Sequence, residues 1–150
     1  MLTAWRISKA RHPPLDGTGA RLHGARWNSP GRAVIYGADT YAGALLEIIA
    51  HTLRPRTLPG AHHAVRIEIP DELIEILRPA DLPGWESKGS PEAVAFGDQW
   101  LREQRSAVLL VPAVPSRPVG HNVLINPVHP DFHRISVFDP FPVPWDDRLF

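Results

Sequence analysis

The chain has 150 residues, long enough for one domain with a proper core, and residues 1–150 read as a single unit. Sixteen basic and sixteen acidic side chains cancel, which argues against nucleic acid as the main target, since that usually needs a basic face. There is no cysteine, so a disulfide framework, a thiol nucleophile and a thiolate metal site are all excluded.

Seventeen prolines and eleven glycines imply short elements joined by fixed turns. Thr3 to Ile7 reads as a first strand. Arg6 within it is either an edge-strand charge or points into a site. Arg11 to Gly24 reads as a loop. Next, Asn28, Ser29, Pro30 and Gly31 are strong turn formers that fix the chain just after Arg26-Trp27. A guanidinium on a rigid turn suits an anion such as phosphate; the plainer reading is a surface arginine beside a core tryptophan. Ala33 to Tyr36 is a short apolar strand ended by Gly37. Tyr36 at its end can stack on a flat ring with its hydroxyl in water, or it is a core aromatic.

Tyr41 to Leu53 is expected to be helical, capped by Asp39 or Thr40 and largely buried through Leu45, Leu46, Ile48 and Ile49. Glu47 interrupts that run. It shares a stripe with Thr40, Gly43, His51 and Arg54, which is either a solvated face or the wall of a cleft. In the second case Gly43 leaves room for a ligand. His63 to Ile69 alternates as a half-buried strand, and Leu73 to Leu77 is a short strand between prolines. Ser90, Pro91 and Glu92 start a helix that runs to about Arg105, with Val94, Trp100 and Leu101 buried. Val108 to Val114, Val123 to Ile125 and Arg134 to Phe138 are further strands, and the tail from Asp139 to Phe150 is expected to be irregular. The tally of about six short strands and two substantial helices is that of a mixed α+β domain.

The pattern carried by Gly24, Arg26-Trp27-Asn28-Ser29-Pro30-Gly31, Tyr36, Leu45-Leu46-Glu47 and His51 resembles the RES domain, the toxin half of many bacterial Xre–RES toxin–antitoxin pairs. Ala4-Trp5-Arg6-Ile7 resembles that family's opening. Val114-Pro115-Ser116, with the run from Asn122 to Phe132, resembles its closing motif. The resemblance implies an ADP-ribosyltransferase-like fold, small split sheets around a cleft for NAD. NAD is then a substrate and no cofactor is implied. The implied roles are a catalytic carboxylate for Glu47, pyrophosphate contacts for Arg26 and Arg6, packing on nicotinamide or its ribose for Tyr36, and a polar contact for Ser116. The usual trio of diphtheria-toxin type is His, Tyr and Glu; Arg26 in the first place is typical of RES domains.

Attack at the nicotinamide–ribose bond suits this residue set. The leaving group is already a cation, and a carboxylate stabilises the oxocarbenium-like carbon left behind. Water as acceptor makes a glycohydrolase, inorganic phosphate a phosphorylase, and a protein an ADP-ribosyltransferase; the residues leave all three open. The implied partner is an Xre-type helix-turn-helix antitoxin, and a homo-oligomer stays open. No run of about 18 apolar residues suggests a membrane span, and the N-terminus lacks the apolar core of a signal peptide, so the cytoplasm is expected. Two other classes compete. One is a metal-dependent hydrolase using His62, His63, His129 or His133, although Pro130 spoils a helical pairing of the last two. The other is a non-catalytic binding module. A hydrolase triad of Ser116, His121 and Asp131 lacks the G-x-S-x-G elbow.

Overall fold

The first strand, β1 (Leu2–Lys9), buries Ala4 and Ile7 and pairs along its whole length with β3 (His62–Ile69), from Leu2 opposite Ile69 to Lys9 opposite His62. The computed structural model describes residues 1–52 and 56–150. Between these strands come α1 (Thr18–His23), β2 (Ile35–Ala38) and α2 (Tyr41–Ala50). After β3 follow β4 (Ile74–Ile76), α3 (Pro91–Glu103), β5 (Val108–Pro112), β6 (His121–Ile125), β7 (Ser136–Val137) and β8 (Phe141–Pro142). The strands run in the order β4-β5-β6-β2-β1-β3-β7, with β8 also on β3. All pairs are antiparallel except β4 with β5. The expected α+β class holds.

One weak seam divides this sheet. β2 meets β6 through four registered pairs, and β1 meets β3 through eight, but β1 meets β2 only at Trp5 opposite Ala38. Two well-knit halves, β4-β5-β6-β2 and β1-β3-β7, therefore join at one point. The expected split survives as an opening within a continuous sheet. Gly37 sits at the seam, where a Cβ would lie 2.9 Å from the Trp5 carbonyl oxygen. It belongs inside β2 instead of ending it, and this shifts the strand by two residues from the Ala33–Tyr36 expected.

The core follows strand periodicity. Successive residues point to opposite faces, so Val108 and Leu109, or Val123 and Leu124, fall into different apolar clusters. One cluster holds Ala4, Ile67, Ile69 and Ile125. A second packs Trp27 and Trp85 against Trp100 and Leu101 of α3, and a third, smaller one joins Ile7, Ala38 and Ala64 to Ala44 of α2. Ser90 caps α3 by accepting from the Ala93 amide at 3.1 Å, with Pro91 as its first residue.

Several local expectations are corrected. β1 lies between β2 and β3, so Arg6 is not an edge-strand charge. The loop before Gly24 contains α1, a six-residue helix with no buried residue and hence no apolar stripe to read. Thr40 alone caps α2, accepting from Gly43 N at 2.8 Å, while Asp39 bonds His121. α2 ends at Ala50; the expected continuation to Leu53, and Arg54 of the Glu47 stripe, fall outside the described residues. Only Gly43 and Ala44 of α2 are buried, and Leu46 is 41% exposed, because the helix lies on the surface. The tail is not wholly irregular: β8 adds to β3 through Phe141 opposite Ala64.

Candidate functional site

The cleft opens at the seam. It has a volume of about 680 Å³, within the range of ligand sites. Trp5, Arg6 and Ile7 of β1 and Tyr36, Gly37 and Ala38 of β2 form its floor. One wall is the loop Ala25–Trp27. The other is α2, with Ala44, Glu47 and His51, and Asn122 of β6 stands between the two. A second hollow of about 530 Å³ is walled largely by prolines, with Glu86 and Arg117 as its only charged lining residues. It brings none of the sequence-predicted side chains together.

The loop wall is pinned from every side. Ala25 and Asn28 exchange backbone bonds of 2.9 and 3.3 Å, which puts Arg26 and Trp27 at the tip of a tight turn. Asn28 is buried, donates to the Ala20 and Ser29 carbonyls and accepts from the Tyr36 hydroxyl at 2.6 Å. Ser29 is tied to Asp98 of α3 through both its amide and its hydroxyl. Gly97 of α3 lies so close beneath that a Cβ there would sit 1.7 Å from the Trp27 carbonyl oxygen. Gly24, at φ +71°, makes the sharp entry. Arg26 leans on the next loop, its Nη1 donating to the carbonyls of Trp85 at 3.3 Å and Ser87 at 3.0 Å. Its Nε and Nη2 have no protein partner among the described residues. Lys88, beside Ser87, also lines the cleft, so two cations share this part of it. Lys88 carries no motif that sequence reading could use.

Tyr36 faces the cleft differently than expected. Its hydroxyl points away from water, donating to Asn28 and accepting from the Trp27 amide at 3.3 Å. Tyr36 lines the cleft while its side chain packs against the Trp27 and Trp100 cluster. Burial pushes the phenol well above its ordinary range, against the pull of the Trp27 N–H bond and with a further push from Asp98.

Arg6 lines the cleft floor, yet Nε donates to the Pro14 carbonyl, Nη1 to Tyr36 and Nη2 to Asp16, all within 2.9 Å. Three of its five N–H groups are thereby spent on main chain, which makes it a strut between β1, β2 and the following loop. Burial pulls its guanidinium below the ordinary range, and Asp16 partly restores it.

On the helix wall, Glu47 is 25% exposed at its side chain. Oε1 accepts from Asn122 Nδ2 at 3.1 Å, and Oε2 lies 3.8 Å from His51 Nδ1. That His51 nitrogen donates to the Glu47 carbonyl at 2.7 Å. The stripe of Glu47 and His51 thus borders the cleft. Gly43 does not: a Cβ there would meet Thr40 Oγ1 at 2.9 Å and Ala38 at 3.5 Å, so it serves helix packing on β2. Val94, expected in the core, is half-buried and lines the cleft, whereas Ala93 and Gly97 are the buried positions of its turn. Ser116 lies in the turn after Val114 and Pro115, which do line the cleft; Ser116 itself does not, and its carbonyl closes the turn onto Gly120 N at 2.9 Å.

The sequence offers Asn122 only as part of a motif. Its role depends on β6 standing next to β2, a pairing across more than 80 residues that no local pattern announces. Among the described residues no group of three or more His, Asp or Glu side chains gathers as a metal site. His62 and His133 each bond a nearby carbonyl, and His121 Nδ1 pairs with Asp39 at 2.9 Å, not with Ser116. Among these residues no helix is long and apolar enough to cross a membrane.

Comparison with known proteins places this arrangement. The RES domain family model matches residues 3–146. The chain belongs to the RES domain family. This RES domain is 43% identical over 141 residues to the "Prs ADP-ribosylating toxin" of a Sphingobium species, covering 88% of this chain and 86% of that protein. It is 36% identical over 150 residues to "Toxin Res" of Pseudomonas putida, covering 97% and 98% of the two chains. Its fold is similar to a chain in the crystal structure of the Mycobacterium tuberculosis MbcT–MbcA toxin–antitoxin complex, with a TM-score of 0.68 at 24% identity over 95% of this chain and 84% of that one. At that identity the likeness speaks for the fold.

Proposed function

We propose that this RES domain is the toxin of a toxin–antitoxin pair and that its cleft takes NAD, breaking the nicotinamide–ribose bond. The observation that carries the reading is a single cleft lined by Glu47, Tyr36 and Arg26, the last with part of its guanidinium free of protein partners among the described residues. Arg26, with Lys88, is suited to the pyrophosphate, which guanidinium meets through two parallel hydrogen bonds. Tyr36 offers a ring face for the pyridinium, whose positive charge the aromatic quadrupole attracts. Arg6 supports the floor and is not needed as a primary phosphate ligand.

In the reaction, nicotinamide departs as a neutral ring, taking the electron pair of the C–N bond. The ribose carbon becomes oxocarbenium-like and is stabilised by the Glu47 carboxylate. An acceptor lone pair then closes on that carbon, and the acceptor gives up its proton. With water or inorganic phosphate as acceptor the enzyme is an NAD glycohydrolase or phosphorylase. The second reading, transfer to a protein side chain, draws on the 43% identical relative named for ADP-ribosylation. The relatives named as toxins support a partner antitoxin, of Xre type by family resemblance.

The test is nicotinamide release from NAD by the purified chain with water alone, with inorganic phosphate, and with a cell extract containing labelled NAD. Release with the first two supports degradation, and label on a protein band supports transfer. No release under all three conditions overturns the reading.

A further inference from the structure

Two asparagines of the closing motif are buried, and each leaves one side-chain atom without a protein partner among the described residues, Oδ1 of Asn122 and Nδ2 of Asn126; of the two, only Asn122 lines the cleft. Asn126 accepts from Val128 N at 3.2 Å through Oδ1, holds its turn and is absent from the cleft lining. Asn122 lines the cleft at 9% exposure, and its Oδ1 is buried with no partner. A buried acceptor left unpaired is costly, and most such groups find a partner.

Its orientation is fixed by chemistry. The neighbour of the amide is the Glu47 carboxylate, an acceptor only when ionised, so the side that faces Glu47 at 3.1 Å must be the NH₂. A flipped amide would set two acceptors against each other. The backbone is equally fixed, since Asn122 stands opposite Ala38 on one side and Val111 on the other, inside the sheet. Oδ1 is therefore a preset acceptor beside the Glu47 carboxylate.

We infer that Asn122 is a substrate-reading residue of the cleft: its Nδ2 holds Glu47, and its Oδ1 accepts the hydrogen bond of one ribose hydroxyl while Glu47 accepts that of the neighbouring one. The inference rests on the NAD reading above. Two adjacent acceptors call for two adjacent donors, and a vicinal diol supplies them. The same pair repels phosphate, so it fixes the direction in which a dinucleotide lies: diol toward Asn122, pyrophosphate toward Arg26 and Lys88. Through Nδ2, Asn122 also acts as a positioning residue for the carboxylate.

The experiment compares nicotinamide release from NAD and from its 2′-deoxy and 3′-deoxy forms at the nicotinamide ribose. It uses the wild type, Asn122→Ala and Asn122→Asp. Preference ratios within one variant are independent of the fraction folded, so a merely structural asparagine leaves them unchanged. The wild type is expected to disfavour each deoxy form by about 10-fold, the size of one hydrogen bond. Asn122→Ala should lose about 100-fold in kcat/KM for NAD, as expected when a reacting group is misplaced. One of its two preferences should collapse to about onefold while the other, carried by Glu47, persists. Asn122→Asp keeps an acceptor but no N–H, so it should retain both preferences while kcat falls and KM changes little.

Both preferences persisting in Asn122→Ala overturns the inference and leaves NAD cleavage standing. If Asn122→Ala does not fold, loss of a hydroxyl preference in Asn122→Asp overturns it instead. Lost discrimination against the 3-acetylpyridine form of NAD in Asn122→Ala, with both hydroxyl preferences intact, assigns Oδ1 to the nicotinamide amide and overturns it as well. A wild type that releases no nicotinamide from NAD under any acceptor overturns the NAD reading and this inference together.

Discussion

The two walls of the cleft are built to different standards. The loop wall is over-determined: Tyr36 holds Asn28, Asp98 holds Ser29, and the bare backbone of Gly97 lies against Trp27. The helix wall is lightly held. α2 buries only Gly43 and Ala44, and Glu47 is positioned by one bond from Asn122 and a loose approach to His51. Residues of the loop wall are thus tied to the stability of the fold, while Glu47 is free to be exchanged without unfolding it. This separation lets stability and turnover be measured apart.

Gly97→Ala should have the largest effect, on the pinned side. Alanine favours a helix over glycine by about 1 kcal/mol, but its Cβ would drive into the Trp27 carbonyl. A net loss of about 3 kcal/mol or more is expected, seen as a large drop in melting temperature. An unchanged or raised melting temperature would break the contrast between the walls.

On the other wall, Glu47→Gln should leave melting close to wild type, within about 0.5 kcal/mol, since Asn122 Nδ2 can still donate to the glutamine oxygen. Nicotinamide release should fall by about 10²–10³, the usual cost of one electrostatic element opposite developing charge. A melting curve and a turnover assay on one preparation decide it; near-wild-type turnover returns Glu47 to a solvated stripe.

Arg26→Ala comes next. It should weaken NAD binding by roughly 1.5–3 kcal/mol, as for a charge-assisted contact, and loosen the Trp85–Ser87 loop. Arg26→Lys should recover only part, because lysine lacks the fork. Titration calorimetry with NAD reads both, and full recovery by lysine removes the bidentate contact.

The smallest effect is alkaline. Tyr36 ionises far less readily when folded than the ordinary value of about 10, so its contribution to stability is fully present below that pH. Above it the unfolded chain loses the proton while the folded chain keeps it, and stability falls as pH rises. Melting temperatures from pH 8 to 11 should therefore decline less steeply for Tyr36→Phe than for wild type.

The loop wall was the more legible one in the sequence. Turn formers placed Arg26 at a fixed bend, because turn chemistry is local. Of the two readings of Tyr36, the structure shows a packed aromatic whose hydroxyl is held by Asn28, a residue legible as a turn former but not as a hydrogen-bond hub. Glu47 and His51 could be put on one stripe, yet only β6 beside β2 decides that the stripe borders a cleft. Gly37 misled because a glycine after an apolar run marks a strand end as often as a close approach, and the Trp5 carbonyl that explains it belongs to another strand. Lys88 carries no signal and Asn122 only its place in the closing motif, because the neighbours that matter to them are distant in the chain.

The seam in the sheet also has a consequence for the order in which the protein is made. Each half is closed by a long-range pairing, β1 with β3 across some 60 residues and β2 with β6 across more than 80. A chain leaving the ribosome already carries Arg26, Tyr36 and Glu47 when a third of it has emerged, but nothing yet holds them together. The cleft closes only after Asn122 and the rest of β6 arrive, when four fifths of the chain is out. A chain interrupted before that point holds Arg26, Tyr36 and Glu47 but lacks the strand that brings them to one place.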